Sequence, residues 1–160
     1  MSLIYNTPLS AAQQAVAGID PVQPLAMADR VRFSELDVLN HVNNAVYMEW
    51  FERLRVRYSQ DWGISNYSPD GDNPRIVIRS GRIHYVREMR MDEDYIVTCA
   101  CAAYRTSSYT LAQQLWAGGT LRATFDCVMV NLQQDGSGKR PLPEKLCARF
   151  ESVDGAKQEG

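Results

Sequence analysis

The chain has 160 residues, 45% of them apolar and 22% charged, which suits one compact domain with its own hydrophobic core and leaves too little chain for two. Its 17 Lys and Arg against 19 Asp and Glu give a net charge of -2, so neither a nucleic-acid backbone nor an anionic membrane surface is an expected partner. No stretch approaches the roughly 20 apolar residues that cross a bilayer, and Met1 to Pro8 lacks the basic and apolar regions of a secretory signal, so a cytoplasmic protein is expected.

Residues 1–24 read as an appendage. Ser10-Ala11-Ala12-Gln13 fits a capping box, the alanine-rich run stops at Gly18, and Asp20-Pro21-Val22-Gln23-Pro24 is an extended linker because each proline pushes its predecessor out of the helical region. The domain itself is expected over 25–150. Leu25 to Phe33 is a first strand, followed by a polar loop from Ser34 to Asn43. The strongest periodic signal comes next: Val46, Trp50, Leu54 and Tyr58 recur every fourth residue with Tyr47 and Phe51 beside them, which predicts one long helix from about Asn44 to Gln60. Glu49, Glu52, Arg53, Arg55 and Arg57 fall on its opposite, polar face, with Glu49 and Arg53 spaced for an ion pair.

After a turn-rich loop from Asn66 to Pro74 the period changes to two. Arg75 to Arg87, Tyr95 to Tyr104, Ser107 to Trp116 and Leu121 to Leu132 read as four strands of a meander, the last two joined by Gly118-Gly119. A short helix from Glu144 to Phe150 follows Pro141 and Pro143, and 151–160 reads as a frayed tail. The pattern predicts an α+β domain whose antiparallel sheet of about five strands is covered on one face by the long helix. The strands carry apolar residues on both faces, so the second face and the open edge are expected to be covered by further copies, as a homodimer or a homotetramer.

Cys99, Cys101, Cys127 and Cys147 are expected to be reduced, since a chain of this length needs no staples. With His41 and His84 as the two imidazoles, far apart in sequence, no metal site is expected. Serine-hydrolase elbows and nucleotide-binding glycine loops are absent.

The segment densest in reactive groups lies just before the long helix, where unpaired backbone N–H groups and about half a positive charge favour an oxyanion. Asp37, Asn40, His41, Asn43 and Asn44 place five polar side chains in eight positions. Asn43 or Asn44 is the expected helix cap, and Asp37 and His41 could simply satisfy the loop. Five polar groups exceed the needs of one cap, however.

Arg32-Phe33-Ser34-Glu35-Leu36-Asp37, then Asn40-His41-Val42-Asn43-Asn44-Ala45-Val46-Tyr47, leading into Trp50-Phe51-Glu52, resembles the signature of the hot-dog fold thioesterases. The likeness extends over about Met27 to Leu146 and is nearest to the 4-hydroxybenzoyl-CoA and long-chain acyl-CoA types. The plant acyl-carrier-protein thioesterases carry a similar string but place an asparagine two residues after the aspartate, where Leu39 stands here. The resemblance implies a hot-dog fold, a site shared between two subunits, and hydrolysis of an acyl-CoA or acyl-carrier-protein thioester without metal or cofactor. It assigns Asp37 as nucleophile or general base, the Asn44 backbone N–H to the thioester carbonyl, and His41 and Asn43 to assisting water or positioning the acyl group. Tyr47 is implied as a substrate-binding residue, and Arg105, Thr106, Ser107, Ser108 and Arg140 are implied beside CoA. A hot-dog domain that binds the same ligands without turnover is the alternative. Asp37 favours the enzyme, because a binder gains nothing from a carboxylate at a thioester carbonyl.

Overall fold

The computed structural model describes residues 2–160. The long helix α2 (Asn44–Asp61) lies against an antiparallel sheet built from β1 (Leu25–Arg30), β2 (Arg75–Tyr85), β3 (Asp94–Tyr104), β4 (Ser108–Ala117) and β5 (Thr120–Leu132). A short helix α1 (Ala11–Val16) precedes them, and α3 (Glu144–Arg149) and the short strand β6 (Lys157–Gln158) follow. This is the expected α+β architecture, a sheet wrapped on one helix.

The core forms where the four-residue stripe of α2 meets the alternating faces of the strands. Trp50 stacks on Tyr95 with ring centroids 4.1 Å apart, and Phe51 stacks on Phe125 at 5.6 Å. Every second residue of β4 points inward, from Tyr109 to Ala117. Burying each large apolar side chain of this kind contributes on the order of 2 kcal/mol. Gly118 and Gly119, with φ of 57° and 70°, supply the left-handed pair that a two-residue hairpin between β4 and β5 requires.

The strand order β1-β3-β4-β5-β2 departs from a four-strand meander. β1 takes the free edge of β3, pairing Leu25 with Cys99, so β2 crosses to the far side and pairs with β5, Arg75 opposite Leu132 and Tyr85 opposite Ala123. β2 is therefore an edge strand, and most of its residues are exposed. β1 ends three residues earlier than its apolar pattern suggests, because Glu35 accepts the Arg32 N–H at 2.8 Å and winds Phe33–Glu35 into a helical turn.

Both chain ends are more ordered than expected. Residues 2–24 cover the outer face of β1 and β3: Leu9 and Ile19 are buried against Ala26, Ala28 and Ile96, and Gln14 is buried with its side-chain amide bonded to the backbone of Gln23. A Cβ on Gly18 would stand 2.8 Å from the Gly119 Cα, so this segment sits directly on the hairpin. That part of the second sheet face is thus covered by the chain's own N-terminus rather than left for a second dimer. At the other end the tail is not frayed: β6 pairs with Ala103 and Tyr104 of β3, and Ala156 is buried. Asp154 anchors it, accepting hydrogen bonds from the Tyr58 hydroxyl (2.5 Å), Trp62 Nε1 (2.9 Å) and the Cys101 N–H (2.7 Å).

The polar face of α2 is also narrower than its sequence suggests. Arg53 turns away from Glu49 to the buried Asp29, 3.0 Å away, which also binds Arg32. Arg55 is buried, because it lies one turn beyond Phe51 on the same flank of the helix.

Candidate functional site

The loop between Glu35 and α2 is closed on itself and clamped from behind. Leu36 bridges to Val42, the Asp37 N–H donates to the His41 carbonyl at 2.8 Å, and Asn40 turns the chain back in the left-handed region (φ 58°), which asparagine tolerates. The Val42 N–H donates to the Met89 carbonyl at 2.9 Å, fixing the loop on the connection from β2 to β3. Glu35 braces the other side, accepting Trp50 Nε1 at 3.0 Å.

Within this frame the Asp37 carboxylate is used on one side. Its Oδ1 accepts the Leu39 N–H at 2.8 Å and the His41 N–H at 3.4 Å, while Oδ2 has no hydrogen-bond partner among the described residues. Asn43 is the helix cap, its side-chain oxygen accepting the Ala45 N–H at 3.0 Å. The N–H of Asn44, the first residue of α2, has no hydrogen-bond partner among the described residues. An open carboxylate oxygen and a free N–H at a helix start are therefore offered by one short segment, the donor–acceptor set that a reacting carbonyl needs.

His41 Nε2 stands 2.9 Å from Glu88 Oε2. The Glu88 carboxyl is held below the usual carboxylate range, first by its hydrogen bond from Arg90 and then by the charges of Arg90 and His41. Tyr47 is buried, edge-on to Tyr85 at 5.1 Å, and burial pushes its hydroxyl up to about 12, so it stays a neutral donor. The Tyr85 hydroxyl reaches the Asn44 carbonyl at 3.3 Å and ties the helix start to the end of β2.

The remaining expected residues lie elsewhere. Arg105, Thr106, Ser107 and Ser108 form the turn between β3 and β4, at the end of β3 remote from Asp94, which pairs with Arg30 beside the Asp37 loop. The 11 residues of β3 separate the two ends by about 35 Å. Arg105 borders a cleft of about 470 Å³ with Arg79, Ser80 and Ser108 and meets Glu159 of the tail at 3.6 Å, an exposed and therefore weak pair. Arg140 is more firmly committed, holding both carboxylate oxygens of Asp72 at 3.0 and 3.1 Å. One chain thus puts Asp37, His41, Asn43 and Asn44 on one loop and helix start, with Tyr47 one turn further into α2 against Tyr85, but does not bring the basic turn to them. Exposed apolar side chains gather near the Asp37 end, Val38 at 99% and Phe33 at 79% exposure, together with Leu39, Tyr85 and Val86.

Residues 31–150 match the family model described as thioesterase-like superfamily. A thioesterase-superfamily protein from Jannaschia sp. CCS1 is 35% identical with a TM-score of 0.90, over 96% of this chain and 97% of that one. A thioesterase from Thermus thermophilus, solved with coenzyme A and zinc, is 30% identical with a TM-score of 0.69, over 83% and 96%. The uncharacterized protein YsmA of Bacillus subtilis (strain 168) is 30% identical over 81 residues, 51% of this chain, and the match spans about half the length of that curated relative, 53%.

Proposed function

The chain belongs to the thioesterase-like superfamily, and we propose that it hydrolyses an acyl-CoA thioester to a free acid and CoA. The observation that carries this reading is that one short segment holds both the half-used carboxylate of Asp37 and the free N–H of Asn44 at the helix start. Oδ2 attacks the thioester carbon to give an acyl-aspartate anhydride that water then hydrolyses to the free acid and the carboxylate, or it takes the proton of a water that attacks the thioester directly. The negative charge that develops on the carbonyl oxygen is met by the Asn44 N–H and the positive end of α2. The C–S bond then breaks and CoA leaves as a thiolate. That departure needs little acid help, because a thiol pKa near 8.5 makes the thiolate a competent leaving group. His41 contributes through its backbone, which fixes both ends of the Asp37 turn, and through its imidazole, which holds the loop to Glu88.

CoA binding by the Thermus thermophilus relative supports the same substrate class here. Arg105 and its neighbours are too far from Asp37 to serve it within one chain, and a second copy resolves this. If the β2 edges of two copies pair antiparallel, the Arg75 end of one faces the Tyr85 end of the other. The β3–β4 turn lies at the Arg75 end, since Ser108 pairs with Val130 and Arg75 with Leu132. The partner's basic turn is then carried toward Asp37, and the apolar patch around Val38 and Phe33 is covered.

Release of CoA from a panel of aliphatic and aromatic acyl-CoAs, followed with a thiol-trapping dye, tests the reading. Turnover of at least one member is expected. Binding of acyl-CoA with no turnover anywhere in the panel would instead establish the non-catalytic alternative. Mixing chains carrying Asp37→Ala with chains carrying both Arg105→Ala and Arg140→Ala should restore some activity, and a fully active monomer in light scattering would refute the shared site.

A further inference from the structure

Phe51, Arg55 and Ser59 succeed one another at single turns of α2, and this row carries a guanidinium into the interior. Arg55 is 6% exposed. Its Nη1 donates to Gln113 Oε1 at 3.0 Å, its charge lies 5.4 Å from the centre of the Phe125 ring, and Gln113 is itself fixed by donating to the Phe51 carbonyl at 2.9 Å. Among the described residues no carboxylate pairs with Arg55, and one hydrogen bond serves its five N–H groups. A buried cation left in this state is costly unless something else meets it. Arg55 opens on a cleft of about 380 Å³ between α2 and β2, whose walls include Ile76, Ile78, Met129 and Tyr67, with the exposed Glu52 on the same rim. The cleft combines apolar walls with one fixed cation that presents a planar fork of donors.

The β2 walls of this cleft lie at the Arg75 end, which the antiparallel pairing above faces to the Tyr85 end of a second copy, and we propose that the cleft receives the acyl group of a substrate held at that copy's helix start and that Arg55 binds a second carboxylate at its far end, which makes the substrate class the mono-CoA thioesters of dicarboxylic acids. The proposal rests on the thioesterase reading above and adds the identity of the acyl group. A methylene or ring segment fits Ile76, Ile78 and Met129, and the distal carboxylate accepts from the free edge of the guanidinium, the geometry in which arginine surpasses lysine. Glu52 works against any anion that lodges short of Arg55, so the carboxylate must reach past the rim.

The test uses matched pairs of thioesters that differ at the far end, adipyl-CoA with hexanoyl-CoA and suberyl-CoA with octanoyl-CoA. kcat/KM is measured for turnover, and calorimetry with the corresponding non-hydrolysable thioethers measures binding. The dicarboxylic member should be preferred by about tenfold or more, the scale of one charge-assisted contact. Arg55→Met should bring each pair within about threefold, and Arg55→Lys should retain an intermediate preference, so the reading does not depend on how well the methionine variant folds. Equal or better handling of the methyl-ended member by the wild-type protein would overturn the proposal and leave hydrolysis standing. A thioether preference without any turnover would uphold the Arg55 site and overturn hydrolysis instead. Failure of every thioester and thioether to bind would overturn both.

Discussion

Asp154 takes three donors, the Tyr58 hydroxyl, the Trp62 indole and the Cys101 N–H, and stands half-buried at the end of the sheet that holds the β3–β4 turn. Asp37, at the other end, takes backbone N–H groups on one oxygen and leaves the second open beside a helix start. Asp37 sits in a loop and Asp154 closes the π-helical turn Phe150–Asp154 that follows α3, and both lie next to α2. A carboxylate that holds structure has its lone pairs filled by the fold, whereas one available for chemistry is oriented by one oxygen and idle at the other.

The comparison breaks most sharply at Asp37. Asp37→Ala should lower turnover of the best acyl-CoA by about a hundredfold or more, the usual scale for a positioned acid or base, while the melting temperature changes little. Near-full turnover would reduce Asp37 to a loop residue. Asp154→Ala should do the opposite. Three donors lose their acceptor, so urea denaturation should show a loss of about 2 kcal/mol, with turnover per folded molecule close to that of the wild type.

Arg105→Ala should raise KM several-fold with a smaller change in kcat, since a contact remote from the carbonyl contributes uniform binding. The effect should shrink on a substrate truncated to acyl-pantetheine, and equal losses on both substrates would separate Arg105 from the nucleotide. The smallest effect is a pH dependence. Burial holds the Asp154 carboxyl above its ordinary range, against the lowering effect of its three donors. The folded state therefore binds this proton more tightly than the unfolded chain does. Its stabilising contribution is fully present below the ordinary aspartate value of about 3.9 and is lost as pH rises through the raised one. Asp154→Asn needs no proton, so urea midpoints measured across the acidic range should follow a flatter course than those of the wild type.

What the sequence made legible follows from periodicity and local chemistry. Val46, Trp50, Leu54 and Tyr58 announce α2, and the alternation of β4 is as regular in the structure as in the sequence. Asn43 and Asp37 are placed by interactions within a few residues, so the head of the helix could be read directly. Strand order could not, because nothing local tells β2 to pair with β5 once β1 has taken the edge of β3. Asp154 was invisible for the same reason: its partners Tyr58, Trp62 and Cys101 are more than 50 residues away in the chain. Charge alone points Arg55 to the polar face, although its spacing from Phe51 and Ser59 already puts it on a buried row. Glu49 lost its spacing partner Arg53 to Asp29, a competitor 24 residues upstream that periodicity does not reveal.

The C-terminal strand gives the protein a built-in reporter position. β6 lies along β3 beside Tyr104, and the next residue, Glu159, pairs with Arg105 across 3.6 Å while both side chains remain more than half exposed. Under the CoA assignment proposed for Arg105, a phosphate at the turn competes with Glu159 for the guanidinium, and an environment-sensitive fluorophore attached at Gly160 should report that exchange as an optical signal, in chains whose Asp37 has been replaced as well.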